Sequence, residues 1–222
     1  MLCTQTWLPF LRLEFQQVNK KPVTTTIDLL RHGDVEGGRK YRGQLDDPLS
    51  ELGWQQLRTV TQNKQDWQQI ITSPLKRCAE FSEELAQSLN LPLNNESEYR
   101  EISFGLWEGK TADELLKVDS EKIKRYWDDP EQETPPQGEN LLSFEKRILS
   151  AWKKTLNDHK GRHVLLISHA GVMRIILCHI LGMPLTELFK LDVGLAKASR
   201  IQIEYAEGEA WPRLIFHGSD FI

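Results

Sequence analysis

The chain has 222 residues, a length that fits one or two domains with a sizeable core, and its 39% hydrophobic and 27% charged residues exclude both a membrane protein and a disordered one. Lys and Arg number 28 against 32 Asp and Glu, a formal net charge of -4, which argues against a nucleic-acid binder that relies on overall positive charge. The acidity is local, with eight acids and three bases between Asp119 and Glu145, so a small anionic substrate remains electrostatically acceptable elsewhere.

Residues 1–22 read as an N-terminal extension, apolar in part but without a basic leader or a small-residue cleavage site. Residues 23–222 read as a single domain. Its first strand is Thr24 to Leu30, β-branched and aliphatic, stopped by Arg31-His32-Gly33. A glycine-rich polar loop runs to Pro48, and Ser50 is the expected N-cap of a helix carrying Leu52, Leu57 and Val60. Trp67 to Thr72 is the second predicted strand, and Ser73-Pro74 is the expected N-cap and first-turn proline of a helix through Leu89.

Tyr99 to Gly109 has no clean period and reads as a loop with short extended pieces, Thr111 to Trp127 as a helix, and the proline-rich 128–138 as a loop. Leu141 to Leu156 has the apolar spacing of an amphipathic helix. His163 to Ile167 is a continuous apolar run of strand length, ended by Ser168-His169-Ala170-Gly171, after which a helix runs to Leu181. Arg200 to Tyr205 and Trp211 to Phe216 read as a hairpin around Gly208. Strands alternating with helices predict an α/β fold: a three-layer α/β/α sandwich with a largely parallel central sheet.

Three cysteines, odd in number and far apart, exclude a disulfide framework and a zinc knuckle and fit a reducing, cytoplasmic compartment. No apolar stretch reaches the length of a membrane span. No spacing of histidines and carboxylates supports a metal site, and none of the chemistry below calls for a cofactor.

In open α/β sheets, ligands bind at the carboxyl ends of the strands. Two strands here end there in histidine, His32 and His169, and a third is followed by Arg77. With Arg31, these make two imidazoles and two guanidiniums beside helix N-termini, a set suited to phosphate. His159, His163, His179 and His217 share none of this context and read as structural.

The chain then resembles the histidine phosphatases, the phosphoglycerate mutase-like superfamily. The resemblance rests on LLRHG at 29–33, DDPLSELGWQQ at 46–56, SPLKRC at 73–78, YREISFGLWEG at 99–109, PPQGEN at 135–140 and LLISHAGVMR at 165–174. It implies the phosphoglycerate mutase-like form of the sandwich, with His32 as a nucleophile that becomes phosphohistidine. It further implies that Arg31, Arg77 and His169 bind phosphate oxygens and that Glu101 is the proton donor, with Glu98 and Glu108 outside that role. Ala170 stands where a glycine is usual and serves through its backbone N–H. Gly38 stands where many members have asparagine.

Gly109 and Pro135 are only 26 positions apart, too short an insertion for a typical mutase of this family, so the resemblance favours a phosphatase. The stretch from Gly37 to Gly53 and the LDVGLAKAS segment are similar to α-ribazole phosphatases, which remove the 5'-phosphate of α-ribazole phosphate or its cobamide form. Arg42 is then a candidate second contact to phosphate or ribose, or else a solvent-facing loop residue. A broad-specificity sugar or small-molecule phosphatase, a phosphoglycerate mutase and a catalytically silent phosphate-binding regulator are the other readings. The expected partner is a small phosphomonoester, with neither nucleic acid nor membrane.

Overall fold

A computed structural model describes residues 23–63, 66–207 and 209–221. The extension, including Cys3, and the hairpin glycine Gly208 lie outside the described residues.

The order is β1 (Val23–Arg31), α1 (Glu51–Thr61), β2 (Gln69–Thr72), α2 (Lys76–Leu89), β3 (Leu93–Asn95), α3 (Ala112–Asp128), α4 (Leu141–Asp158), β4 (His163–Ser168), α5 (Ala170–Leu181), β5 (Ala198–Ala206) and β6 (Glu209–Ser219). The sheet runs β3-β2-β4-β1-β5-β6. Pairings β2–β3, β2–β4 and β1–β4 are parallel, and β5 and β6 complete the sheet antiparallel.

The alternation of strand side chains makes the layers. Ile27, Leu29, Val164, Leu166, Ile201 and Ile203 point to one face, where α4 and α5 add Phe144, Ile148, Trp152, Val172 and Ile176. Leu30, Leu165, Ile167, Ile70 and Ala198 point to the other, against Leu57 of α1 and Phe81 and Leu85 of α2. This is the predicted sandwich. A third small cluster, Trp107, Leu115, Ile123 and Tyr126, seats α3 over the carboxyl end of the sheet beside Tyr41, Phe104 and Phe189.

Ser50 caps α1 as expected, its hydroxyl accepting the Gly53 N–H at 3.1 Å. Thr111 and Glu114 form a reciprocal capping box on α3, which kinks at Asp119. Ser73, by contrast, is not the N-cap of α2. That helix starts at Lys76 after Leu75, and the Ser73 hydroxyl is taken by His169. The loop around Tyr99 to Gly109 is built from two 3-10 turns rather than extended pieces.

Within β1, Asp28 is fully buried and receives Arg200 through Nε and Nη2 at 2.7 and 2.9 Å, Trp67 Nε1 at 2.7 Å and His163 Nε2 at 2.9 Å. Burial alone would raise the Asp28 pKa, but these donors hold it below the ordinary value. His163 is accordingly a structural partner, as is His217, which bonds Ser199.

Candidate active site

Parallel β1 and β4 lie in register with Arg31 opposite Ser168, so the next residue of each strand, His32 and His169, leaves the sheet at the same level. Their rings meet edge to face with centroids 5.4 Å apart. Gly33 lets the chain turn away at once: a Cβ there would stand 2.4 Å from the Gly53 carbonyl oxygen, so only glycine allows the first turn of α1 to close behind the histidine.

His32 is 6% exposed. Its Nδ1 lies 2.8 Å from the Gly33 carbonyl, an acceptor only, so Nδ1 carries the proton and Nε2 keeps its lone pair. Burial, then the Arg77 and Arg31 charges, push the His32 pKa well below the ordinary imidazole value. The ring is therefore neutral and nucleophilic at physiological pH.

Arg77 is 1% exposed, and its guanidinium spans the site. Nη1 donates to Leu45 O at 2.8 Å, Nη2 to Gly43 O at 2.7 Å and Nε to His169 Nδ1 at 3.3 Å. His169 Nδ1 is thus an acceptor, and its Nε2–H donates to Ser73 at 2.7 Å. Burial and the Arg77 charge depress the His169 pKa as well. His169 is fully buried behind His32 and Arg77 and is not part of the cavity wall.

Arg31 donates to Val193 O at 2.6 Å, while its Nε is buried without a partner among the described residues. Arg31, Arg77 and Arg174 form no ion pair there with any carboxylate within 4 Å. A buried cation such as Arg77 without a carboxylate partner is costly unless an anion completes the site.

A cavity of about 770 Å³ opens above His32. Its wall carries six cationic side chains, Arg31, Arg39, Lys40, Arg42, Arg77 and Arg174, against two acidic ones, Glu101 and Asp113. Ala170, at the N-terminus of the twelve-residue α5, lines it too, so the positive end of that helix dipole faces the same space.

Of the three acids on the 98–108 loop, Glu101 alone lines the cavity. Its Oε2 accepts the Gly171 N–H at 3.1 Å and its Oε1 the Ile102 N–H at 3.0 Å. Glu98 is exposed. Glu108 is spent on structure, its Oε1 accepting from Gln44 N, Phe104 N and Ser103 Oγ at 2.9 to 3.2 Å.

Arg42 also lines the cavity, but its donors turn onto its own loop. Nη2 reaches the carbonyls of Val35, Glu36 and Gly38, and Nε reaches Asp47 at 3.2 Å. It is neither solvent-facing nor free, and it shapes the rim. Gly38, with φ of +71°, supplies one of those carbonyls from a conformation that asparagine also tolerates.

Two wall elements have no counterpart in the sequence reading. Arg174 lies one turn beyond Ala170 on α5, its Nε donating to Leu191 O at 3.0 Å and its guanidinium resting 5.8 Å from the Phe189 ring. Tyr41 and Trp127 form an aromatic wall, the indole N–H donating to the phenol oxygen at 2.8 Å. Among the described residues no group of three or more His, Cys, Asp and Glu side chains could hold a metal ion, and no helix is long and apolar enough to cross a membrane.

The sequence pattern of the histidine phosphatase superfamily, branch 1, matches residues 27–215. "Phosphoserine phosphatase 1" of Hydrogenobacter thermophilus is 29% identical over 180 residues, 79% of this chain and 85% of that one. Bacillus stearothermophilus YhfR superposes with a TM-score of 0.79 at 27% identity, covering 88% of this chain and 97% of the other. The α-ribazole phosphatase of Shigella flexneri shares the fold, with a TM-score of 0.74 at 23% identity over 89% and 98% of the two chains.

Proposed function

Since the chain belongs to the histidine phosphatase superfamily, whose members are phosphatases and mutases, we propose that it is a metal-independent phosphomonoesterase working through a phosphohistidine at His32. The observation that carries this reading is the neutral imidazole of His32, its Nδ1–H committed to Gly33, set beside the buried Arg77 and the half-buried Arg31, which among the described residues form no ion pair with a carboxylate.

In the first step the Nε2 lone pair of His32 attacks phosphorus, the Nε2–P bond forms and the P–O bond to the leaving group breaks. The Gly33 carbonyl holds the Nδ1 proton throughout and stabilises the positive ring. Arg31, Arg77 and the Ala170 N–H take the charge on the phosphoryl oxygens, with His169 orienting Arg77 from behind. Glu101, in its acid form, gives a proton to the departing oxygen. As carboxylate it then takes a proton from water, whose oxygen attacks phosphorus while the P–Nε2 bond breaks, releasing phosphate. The cationic wall supplies the charge stabilisation that a metal would otherwise provide.

For the substrate we favour α-ribazole 5'-phosphate or its cobamide form, whose 5'-phosphate is removed in the assembly of the cobalamin nucleotide loop. The similarity of the 37–53 and 191–199 segments supports it, as do the Tyr41–Trp127 wall, suited to a planar base, and a cavity large enough for a nucleoside. Arg174 favours a second reading, a phosphorylated amino or hydroxy acid whose carboxylate would meet its guanidinium, and the phosphoserine phosphatase relative points the same way. Both buried free cysteines, Cys78 and Cys178, support a reducing cytoplasmic setting. A turnover panel of α-ribazole 5'-phosphate, phosphoserine, 3-phosphoglycerate and sugar phosphates, run with and without chelator, tests the reading. Hydrolysis of at least one member at undiminished rate in chelator is expected, and phosphate binding without any turnover would overturn it.

A further inference from the structure

Glu101 stands on a segment, residues 101–104, that belongs to no helix or strand. A proton donor has to be held to a fraction of an ångström over the leaving oxygen, and irregular segments do not hold themselves that well. The holding comes from α4. Arg147 donates through Nη1 to the carbonyls of Glu98 and Arg100, the latter at 2.9 Å, and through Nη2 to the carbonyl of Glu101 at 3.1 Å.

The guanidinium is itself fixed. Glu139 receives Arg147 Nε at 2.7 Å and Nη2 at 2.8 Å, a bidentate pair in which both side chains are less than one-fifth exposed. Beneath it the Phe144 ring lies 4.7 Å from the guanidinium carbon. Glu139 also ties its own N–H to Ser103 O at 2.8 Å. Neither Arg147 nor Glu139 lines the cavity.

We propose that Arg147, locked by Glu139, is the positioning residue of the proton donor: its fork sets the main chain at residues 98 to 101 so that the Glu101 carboxyl meets the first turn of α5. The proposal rests on Glu101 being that donor. Lysine, a point charge, cannot replace a planar fork that serves three carbonyls and a carboxylate at once.

The test compares Arg147→Lys, Glu139→Gln and Glu101→Gln in the full chain. For each, kcat and KM are measured with p-nitrophenyl phosphate, whose leaving group needs little proton, and with the best alkyl phosphate of the panel above. Thermal unfolding is followed alongside, and Glu139→Gln, which keeps the size of the side chain, carries the comparison if Arg147→Lys does not fold. The clamp variants should lose about tenfold or more in kcat/KM for the alkyl ester, while kcat/KM for the nitrophenyl ester, which reports phosphorylation of His32 and not the dephosphorylation that both esters share, stays within about threefold of wild type. Equal losses on both esters, or none, while Glu101→Gln remains selective for the alkyl ester, would overturn the clamp alone. An unselective Glu101→Gln would remove the proton-donor assignment and the clamp with it.

Discussion

Glu101 and Gly171 share a space that leaves room for only one side chain: Glu101 Oε2 accepts the Gly171 N–H at 3.1 Å, and a Cβ on Gly171 would stand 2.2 Å from Glu101 Oε1. Gly171 is the second residue of α5, where alanine is at least as good a helix former. Gly171→Ala should therefore leave the melting temperature unchanged or raised. The same methyl displaces the carboxylate, the movable partner, and kcat for an alkyl phosphate should fall by an order of magnitude or more. A variant of unchanged stability and unchanged alkyl-ester kcat would show that the carboxylate position does not matter.

The depressed pKa values of His32 and His169 fix the sign of a pH dependence. The unfolded chain takes up protons on both imidazoles below about pH 6.5, while the folded chain does not, so stability falls as pH drops through that value. The limiting slope is about 1.4 kcal/mol per pH unit for each histidine. Urea unfolding of the wild type and of His32→Ala between pH 5 and 7 should show the shallower acid loss in the variant. Parallel curves would mean that His32 titrates normally in the folded state.

Arg77 and Arg31 should differ in what their loss does to the fold. Either alanine substitution should cost about 2–4 kcal/mol in transition-state binding, the scale of one preorganised donor to an oxyanion. Arg77→Ala should also lower the melting temperature, because it leaves Gly43 O and Leu45 O without their donor. Among the described residues the Arg31 side chain donates one hydrogen bond, to Val193 O, and its loss should be felt mainly in kcat/KM. Steady-state kinetics with differential scanning calorimetry separates the two, and a kinetically silent Arg77→Ala would remove it from the phosphate site.

Asp28→Asn offers the opposite separation. It leaves Arg200 with a neutral partner and should cost about 3–5 kcal/mol, the scale for breaking one side of a buried pair. Turnover per folded molecule should not change, since Asp28 does not line the cavity. A specific loss of kcat in this variant would indicate coupling along β1.

What the sequence made legible followed local rules. The apolar run His163 to Ile167 and the TTTIDLL strand each end in histidine, and parallel pairing in register is enough to bring those ends together. The Ser50 and Thr111 caps are equally local. Ser73 misled because its hydroxyl has a distant partner, His169, which a local capping rule does not contain. Arg147 and the carbonyl it holds at Glu101 are 46 positions apart, and no short motif joins them. Tyr41 and Trp127 meet only because α3 folds back over the site. Arg174 did carry a signal, since it lies four residues after Ala170 on one face of α5. β3, three residues long with asparagine at two of them, has no pattern to detect.

The central claim is a covalent phosphoenzyme at His32, and a rapid quench under alkaline conditions, where phosphohistidine survives, tests it most directly. Wild-type protein mixed with a phosphomonoester it turns over should carry one phosphoryl group, located by peptide mass analysis on the His32 imidazole, with Glu101→Gln accumulating more of it. His32→Ala should carry none and lose several powers of ten in kcat. Label on another residue, or more than about a tenth of the wild-type rate in His32→Ala, would contradict the account.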